Sequence, residues 1–71
     1  MEEKIVKKIL LYKREELGLF LFIDENETTQ FVVGYLEDAD VPIGTNVKFW
    51  NSGTYYYNLE DAFNDIKNRE V

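Results

Sequence analysis

The chain has 71 residues, 15% of them aromatic, with no cysteine, no histidine and a net charge of −6. That composition removes disulfide frameworks and thiolate metal sites, and with histidine go the commonest metal ligand and the commonest general base near neutral pH. A domain of this size buries only about 60% of its unfolded surface, so aromatic side chains that bury roughly 150–250 Å² each are one way to build its core.

The whole of 1–71 reads as one small domain. No stretch approaches the ~18 consecutive apolar residues of a membrane span. The apolar run Ile9 to Tyr12 is flanked by charges and followed by no small-residue cleavage site, so it does not read as a signal peptide. Lack of cysteine fits a cytoplasmic protein. Charge is uneven: residues 1–16 sum to +1 and residues 17–71 to −7. An acidic body argues against direct nucleic-acid binding, because neutralisation of phosphates by Lys and Arg supplies most of that affinity.

Residues 4–13, KIVKKILLYK, fit two periods. As a strand, Ile5, Ile9 and Leu11 share a face with Lys7 and Lys13; as a helix, Ile5, Val6, Ile9, Leu10 and Tyr12 do. The β-branched residues at 5, 6 and 9 favour the strand. REELG, 14–18, reads as a turn with Gly18 free to take positive φ. LFLFID, 19–24, is nearly all apolar, as a central strand covered on both faces, or one helping to hold an oligomer, would be. DENE, 24–27, is a turn by composition. TTQFVVGYL, 28–36, has the highest β propensity in the chain, and Gly34 inside it marks a bulge or a close approach. EDADVPIGTN, 37–46, is a loop. VKFW, 47–50, and TYYY, 54–57, flank NSG, 51–53, which reads as another hairpin. A helix follows. Asn58 is its N-cap candidate, Glu60 and Asp61 lie in its first turn, and Lys67 and Arg69 in its last. Leu59, Ala62, Phe63 and Ile66 form its apolar stripe. The expected fold is α+β: a mainly antiparallel sheet of about five strands with one C-terminal helix packed on one face.

Six aromatics crowd residues 49–63. Phe63, on the helix stripe, is expected in the core. Along a strand Tyr55 and Tyr57 point one way and Tyr56 the other, and Phe49 and Trp50 divide likewise. One set meets the helix; the other lies on a sheet face that one helix cannot cover. Cross-strand packing accounts for that set structurally, and an interface accounts for it functionally, since Tyr and Trp are favoured anchors.

Other chemistries are weakly marked. Ser52 is the only serine and sits in an expected tight turn, and no threonine has a visible base beside it, so no enzyme is expected. Asp24, Asn26 and Thr28 alternate as in a Ca²⁺ loop, but Thr29 stands where that loop needs glycine and Tyr35 where it needs glutamate. No cofactor and no metal is expected. Aromatic stacking on single-stranded bases would need a basic groove, and only residues 4–14 are basic.

The stretch from Trp50 and Gly53 through Tyr55, Tyr56 and Tyr57 to Leu59, Glu60 and Ala62 resembles the C-terminal part of short, largely uncharacterised proteins of Firmicutes and their phages or mobile elements. Those carry a Trp, then a Gly and an aromatic strand, then a Leu-Glu-x-Ala helix ending in a basic residue. The resemblance covers about twenty residues. It implies a sheet with a C-terminal helix and a mobile-element setting, and it transfers no functional residue.

Two functions are expected from this reading. One is a non-catalytic, small acidic protein-interaction module, self-associating through the open sheet face, with Trp50 and either Tyr56 or Tyr55 and Tyr57 as anchors. The partner is a protein, the chain itself (as a homodimer) among the candidates, with no nucleic acid and no membrane. The other is an acidic inhibitor of phage or mobile-element origin that imitates nucleic acid on a host nucleic-acid-binding protein. Its acidic surface would be Asp24, Glu25, Glu27, Glu37, Asp38, Asp40, Glu60, Asp61 and Asp65.

Overall fold

The computed structural model of the protein describes residues 6–69. Four strands, β1 (Lys7–Arg14), β2 (Leu17–Ile23), β3 (Thr29–Tyr35) and β4 (Asn51–Tyr56), form one antiparallel sheet in the order β1-β2-β3-β4, and helix α1 (Leu59–Asn68) follows. The strand reading of the N-terminal segment holds from Lys7. Its proposed first residues, 4 and 5, lie outside the described part.

Local chemistry explains the hairpins. The β1–β2 turn is Glu15–Glu16, and Glu15 takes the positive φ, 54°, that was expected of Gly18. Gly18 instead lies within β2 opposite Lys13. A Cβ there would fall 2.6 Å from Cζ of Phe20, so glycine is required for close approach, not for a turn. In the β2–β3 turn, Oδ1 of Asp24 accepts from the backbone N–H groups of Asn26 (2.9 Å) and Thr28 (3.0 Å). This is an Asx turn, and it accounts for the alternation that resembled a Ca²⁺ loop.

A bulge in β1 between Leu10 and Tyr12 changes which side chains share a face. Leu10 pairs with Phe20 and Tyr12 with Leu19, so the two fall on opposite sides of the sheet. The first face carries Leu17, Leu19 and Val33 against Ala62 and Ile66 of α1, with Phe31 and Tyr56 packed alongside. The second face carries Leu10, Phe20, Val32 and Leu36, with Phe22, Val41, Val47 and Trp50 packed on them. β2 is therefore covered on both sides, as its unbroken apolar run implied.

The sheet has four strands, not about five, and its second face is not open as expected. Residues 47–50 do not pair with β4. The preceding segment docks on the outer edge of β1: the Gly44 N–H donates to the Leu10 carbonyl (2.7 Å), Leu10 N–H to Thr45 (3.0 Å) and Val47 N–H to Lys8 (2.9 Å). Outward-facing backbone groups of an edge strand attract such a partner. Gly44, at φ 95°, supplies the left-handed residue of the Pro42–Thr45 turn, closed by Thr45 N–H to the Pro42 carbonyl. Two β1 lysines tie the segment down: Lys13 Nζ donates to the carbonyls of Ala39 and Val41, and Lys8 Nζ to that of Lys48. The chain then crosses the second face to reach β4.

Helix α1 begins as read. Asn58 is extended (φ −131°, ψ 130°) and its side chain accepts from the Asp61 N–H. The stripe is narrower than expected: Ala62 and Ile66 are fully buried, whereas Leu59 and Phe63 are 48% and 38% exposed. Phe63 stands at the flank, edge-on to Tyr12 with ring centroids 5.3 Å apart. Its expected core position is thus corrected to a helix margin.

Candidate interaction surface

Trp50 is the centre of an aromatic cluster on the second face. Its indole stacks on Phe20 (centroids 4.9 Å, planes 28° apart) and meets the edges of Phe22 (5.6 Å) and Tyr55 (6.2 Å). The room for it comes from two glycines. A Cβ on Gly34 would lie 3.1 Å from the Trp50 side chain, and one on Gly53 only 2.4 Å from Nε1. The close approach expected at Gly34 is therefore this indole, and a register shift between Val33 and Tyr35 accompanies it. The Lys8 ammonium lies 5.5 Å from the Trp50 ring, a cation–π contact. Trp50 is half-buried and part of the packing of this face.

Tyr55 and Tyr57 are placed differently. Tyr55 leans against Phe22 and Trp50 at the rim and is 51% exposed; Tyr57, just past the strand end, is 77% exposed. The structure thus brings Trp50 and Tyr55 together around Phe22, a residue that sequence reasoning left out. The signal for Phe22 was its place in β2, two residues beyond Phe20 on the same face.

Tyr56 belongs to the other face and to a polar clamp. Its hydroxyl donates to Oδ2 of Asp65 (2.5 Å), and Arg69 holds both oxygens of the same carboxylate, through Nε (2.8 Å) and Nη2 (2.9 Å). Arg69 also donates to Thr54 Oγ1, and Arg14 reaches the backbone carbonyls of Ile66 and Arg69. The Arg69 guanidinium is the main reason the Asp65 carboxyl titrates below its ordinary range, with the Tyr56 hydroxyl adding to it against the opposing effect of burial. The phenol of Tyr56 is raised, first by its hydrogen bond to Asp65 and then by desolvation. An open groove of about 450 Å³ lies along this clamp, lined by Tyr56, Asp61, Asn64, Asp65, Asn68 and Arg69. Asp65 and Arg69 within it are paired with each other, and the arrangement fastens the end of α1 to β4. The Asp65/Arg69 spacing of four was the readable signal for it.

The acidic residues are not gathered into one row. Asp24, Glu25 and Glu27 sit at the β2–β3 turn, Glu37, Asp38 and Asp40 beyond the far end of β3, and Glu60 and Asp61 in the first turn of α1. Asp24, Asp38 and Asp65 accept structural hydrogen bonds, Asp38 from the Asp40 N–H at 2.9 Å. Among the described residues, no group of three or more acidic side chains is placed to hold a metal ion, and no helix is long and apolar enough to cross a membrane.

No protein-family model, curated protein or solved structure matches the chain.

Proposed function

We propose that the chain is a non-catalytic protein-interaction module that takes its partner along the β4 rim, with Tyr55 and Tyr57 as anchors and Phe22 and Trp50 as their support. The observation that carries this reading is the contrast among the three tyrosines. Tyr56 is tied into the Asp65–Arg69 clamp, while Tyr55 stands exposed against a packed aromatic floor and Tyr57 stands exposed just past the strand end. Rigid aromatic side chains at a preformed surface lose little conformational freedom on binding, which suits them as anchors. The test is affinity capture with the wild-type chain and with Tyr55→Asp and Tyr57→Asp as baits. Both variants keep the fold, because neither ring is buried. Capture that is lost in both supports the reading; capture unchanged in both refutes it.

The acidic-inhibitor reading, with its phage or mobile-element setting, draws on the exposed cluster of Glu37, Asp38 and Asp40 and on the net charge of −6. It predicts capture of a basic nucleic-acid-binding protein that salt releases and that ignores the tyrosines, since exposed charge contacts are screened.

A further inference from the structure

We propose that the outer edge of β4 is a self-association site, at which a second copy of this chain adds its own β4 antiparallel across a two-fold axis. The inference rests on the interaction reading above and names its partner and mode.

The two edges of the sheet differ. Residues 44–47 occupy the outer side of β1. Among the described residues, nothing pairs with the outer side of β4. The ladder fixes which groups are free there. Leu36 N–H donates to the Glu16 carbonyl (2.7 Å), so residues in step with Leu36 bond toward β2, and Phe31 and Val33 bond toward β4. Their partners are Tyr56 and Thr54. The backbone N–H and C=O groups of Tyr55, between those two pairs, therefore point outward. An unpaired strand edge is a template for another strand.

Charge selects a second copy as the occupant. Residues 51–58, NSGTYYYN, carry no charge in a chain of −6. Two like-charged chains meet with least repulsion at this stretch. The edge carries no proline, lysine or inward-pointing charge; its one guard is the irregularity between the Asn51 and Thr54 pairs, which leaves Thr54–Tyr56 as the regular stretch open to a second strand. A two-fold pairing centred on Tyr55 sets Tyr55 against Tyr55 and Gly53 of each copy opposite Tyr57 of the other. Gly53 is where the Trp50 indole lies, so each exposed Tyr57 arrives beside an aromatic plane. Both second faces end on the same side, and Phe22, Trp50 and Tyr55 of the two copies form one row. The helices leave space: α1 lies across β2, β3 and β4, centred near β3, so with strands about 4.8 Å apart the two helix centres stand roughly 14 Å apart, beyond the 8–10 Å of packed helices.

The interface is small, so the dimer is weak, at about 10–100 µM. Sedimentation of the purified chain from ~1 µM to ~1 mM brackets that range, and amide hydrogen exchange is followed at both limits. The expected result is a monomer–dimer equilibrium with the Tyr55 amide slowed in the dimer. Tyr55→Pro removes an outward N–H without touching the β3 ladder and abolishes dimerisation. Tyr57→Glu, at a site too exposed to affect folding, weakens it at least tenfold. Tyr55→Phe dimerises like wild type. A monomer at every concentration, or a dimer indifferent to Tyr55→Pro and Tyr57→Glu, overturns the proposal. A monomer that still captures another protein through its tyrosines overturns self-pairing alone; one whose capture ignores them overturns the interaction reading as well.

Discussion

Replacing Gly53 by alanine is the sharpest test of how Trp50 is held. The added methyl would sit 2.4 Å from Nε1 and 2.7 Å from Cδ1 of Trp50, and 3.1 Å from Cγ1 of Val32. Gly53 does not have positive φ, so the backbone accepts alanine and the collision is chiefly with the indole, with Val32 a lesser, tight contact. Overpacking of this kind costs about 1–3 kcal/mol. Displacing the ring from Phe20 forfeits a further ~1 kcal/mol of aromatic pairing. Alanine regains about 0.5–1 kcal/mol over glycine in a strand. The net loss is about 2 kcal/mol, which for a domain this small lowers Tm by roughly 8–16 °C. The chain has a single tryptophan, so its fluorescence reports the event directly: emission shifts to the red as the indole moves into water. Trp50→Ala should make Gly53→Ala harmless, a coupling that a double-mutant cycle reads. Unchanged emission and Tm in Gly53→Ala, or additive losses in the double variant, would refute the seat described for Trp50.

Tyr56→Phe removes one hydrogen bond to a carboxylate and should cost about 1.5–3 kcal/mol, seen in chemical denaturation. Asp65 has its folded pKa depressed, so its contribution is full above its unfolded value of about 3.9 and is lost as pH falls through the lower folded value. Wild type should therefore lose stability in acid more steeply than Asp65→Asn, which is weaker at neutral pH; parallel profiles of Tm against pH would count against the clamp. Asn58→Ala should cost about 1 kcal/mol through loss of the N-cap, measured by thermal melting followed at a helix wavelength. Ile66→Ala, at a fully buried site, should cost about 2–4 kcal/mol, and Leu59→Ala, half exposed on the same stripe, less than half of that; equal losses would contradict the position of the helix.

What was readable in the sequence was local. Val, Ile, Phe and Thr content marked β2 and β3, the apolar run of β2 signalled cover on both faces, and Asn58 with Asp61 marked the start of α1. What was not readable depended on long-range pairing. Residues 44–47 carry no strand pattern of their own; their place follows from the unpaired N–H and C=O groups of Lys8 and Leu10, nearly forty residues earlier. The bulge at Leu11 shifts the alternation of β1 without a glycine to announce it. Phe63 fits the helix stripe by spacing, yet a ten-residue helix buries only the Ala62–Ile66 line in the core and leaves Phe63 against Tyr12 at the margin. For the candidate site, the tyrosine alternation was legible, but which side was tied down required the positions of Asp65 and Arg69.

The order in which the chain uses its segments accounts for the exposed rim. The first three strands form a meander, and the segment after β3 must both close the β1 edge and fill the second face. It does so with Val41, Val47 and Trp50, and by the time the chain reaches β4 only α1 remains among the described elements. That helix turns onto the first face, drawn by Leu17, Leu19 and Val33 and fixed by Tyr56, Asp65 and Arg69. No described element is left to cover the outer side of β4. A lone uncovered edge would ordinarily be guarded by charge, and this chain has charge in excess, at −6. Acidic side chains occupy the turn before β3, the loop after it and the first turn of α1, yet none falls between Asn51 and Asn58. Solubility alone would favour a charge on that strand. An uncharged strand with Tyr55 and Tyr57 on its rim is what the pairing proposed for β4 requires.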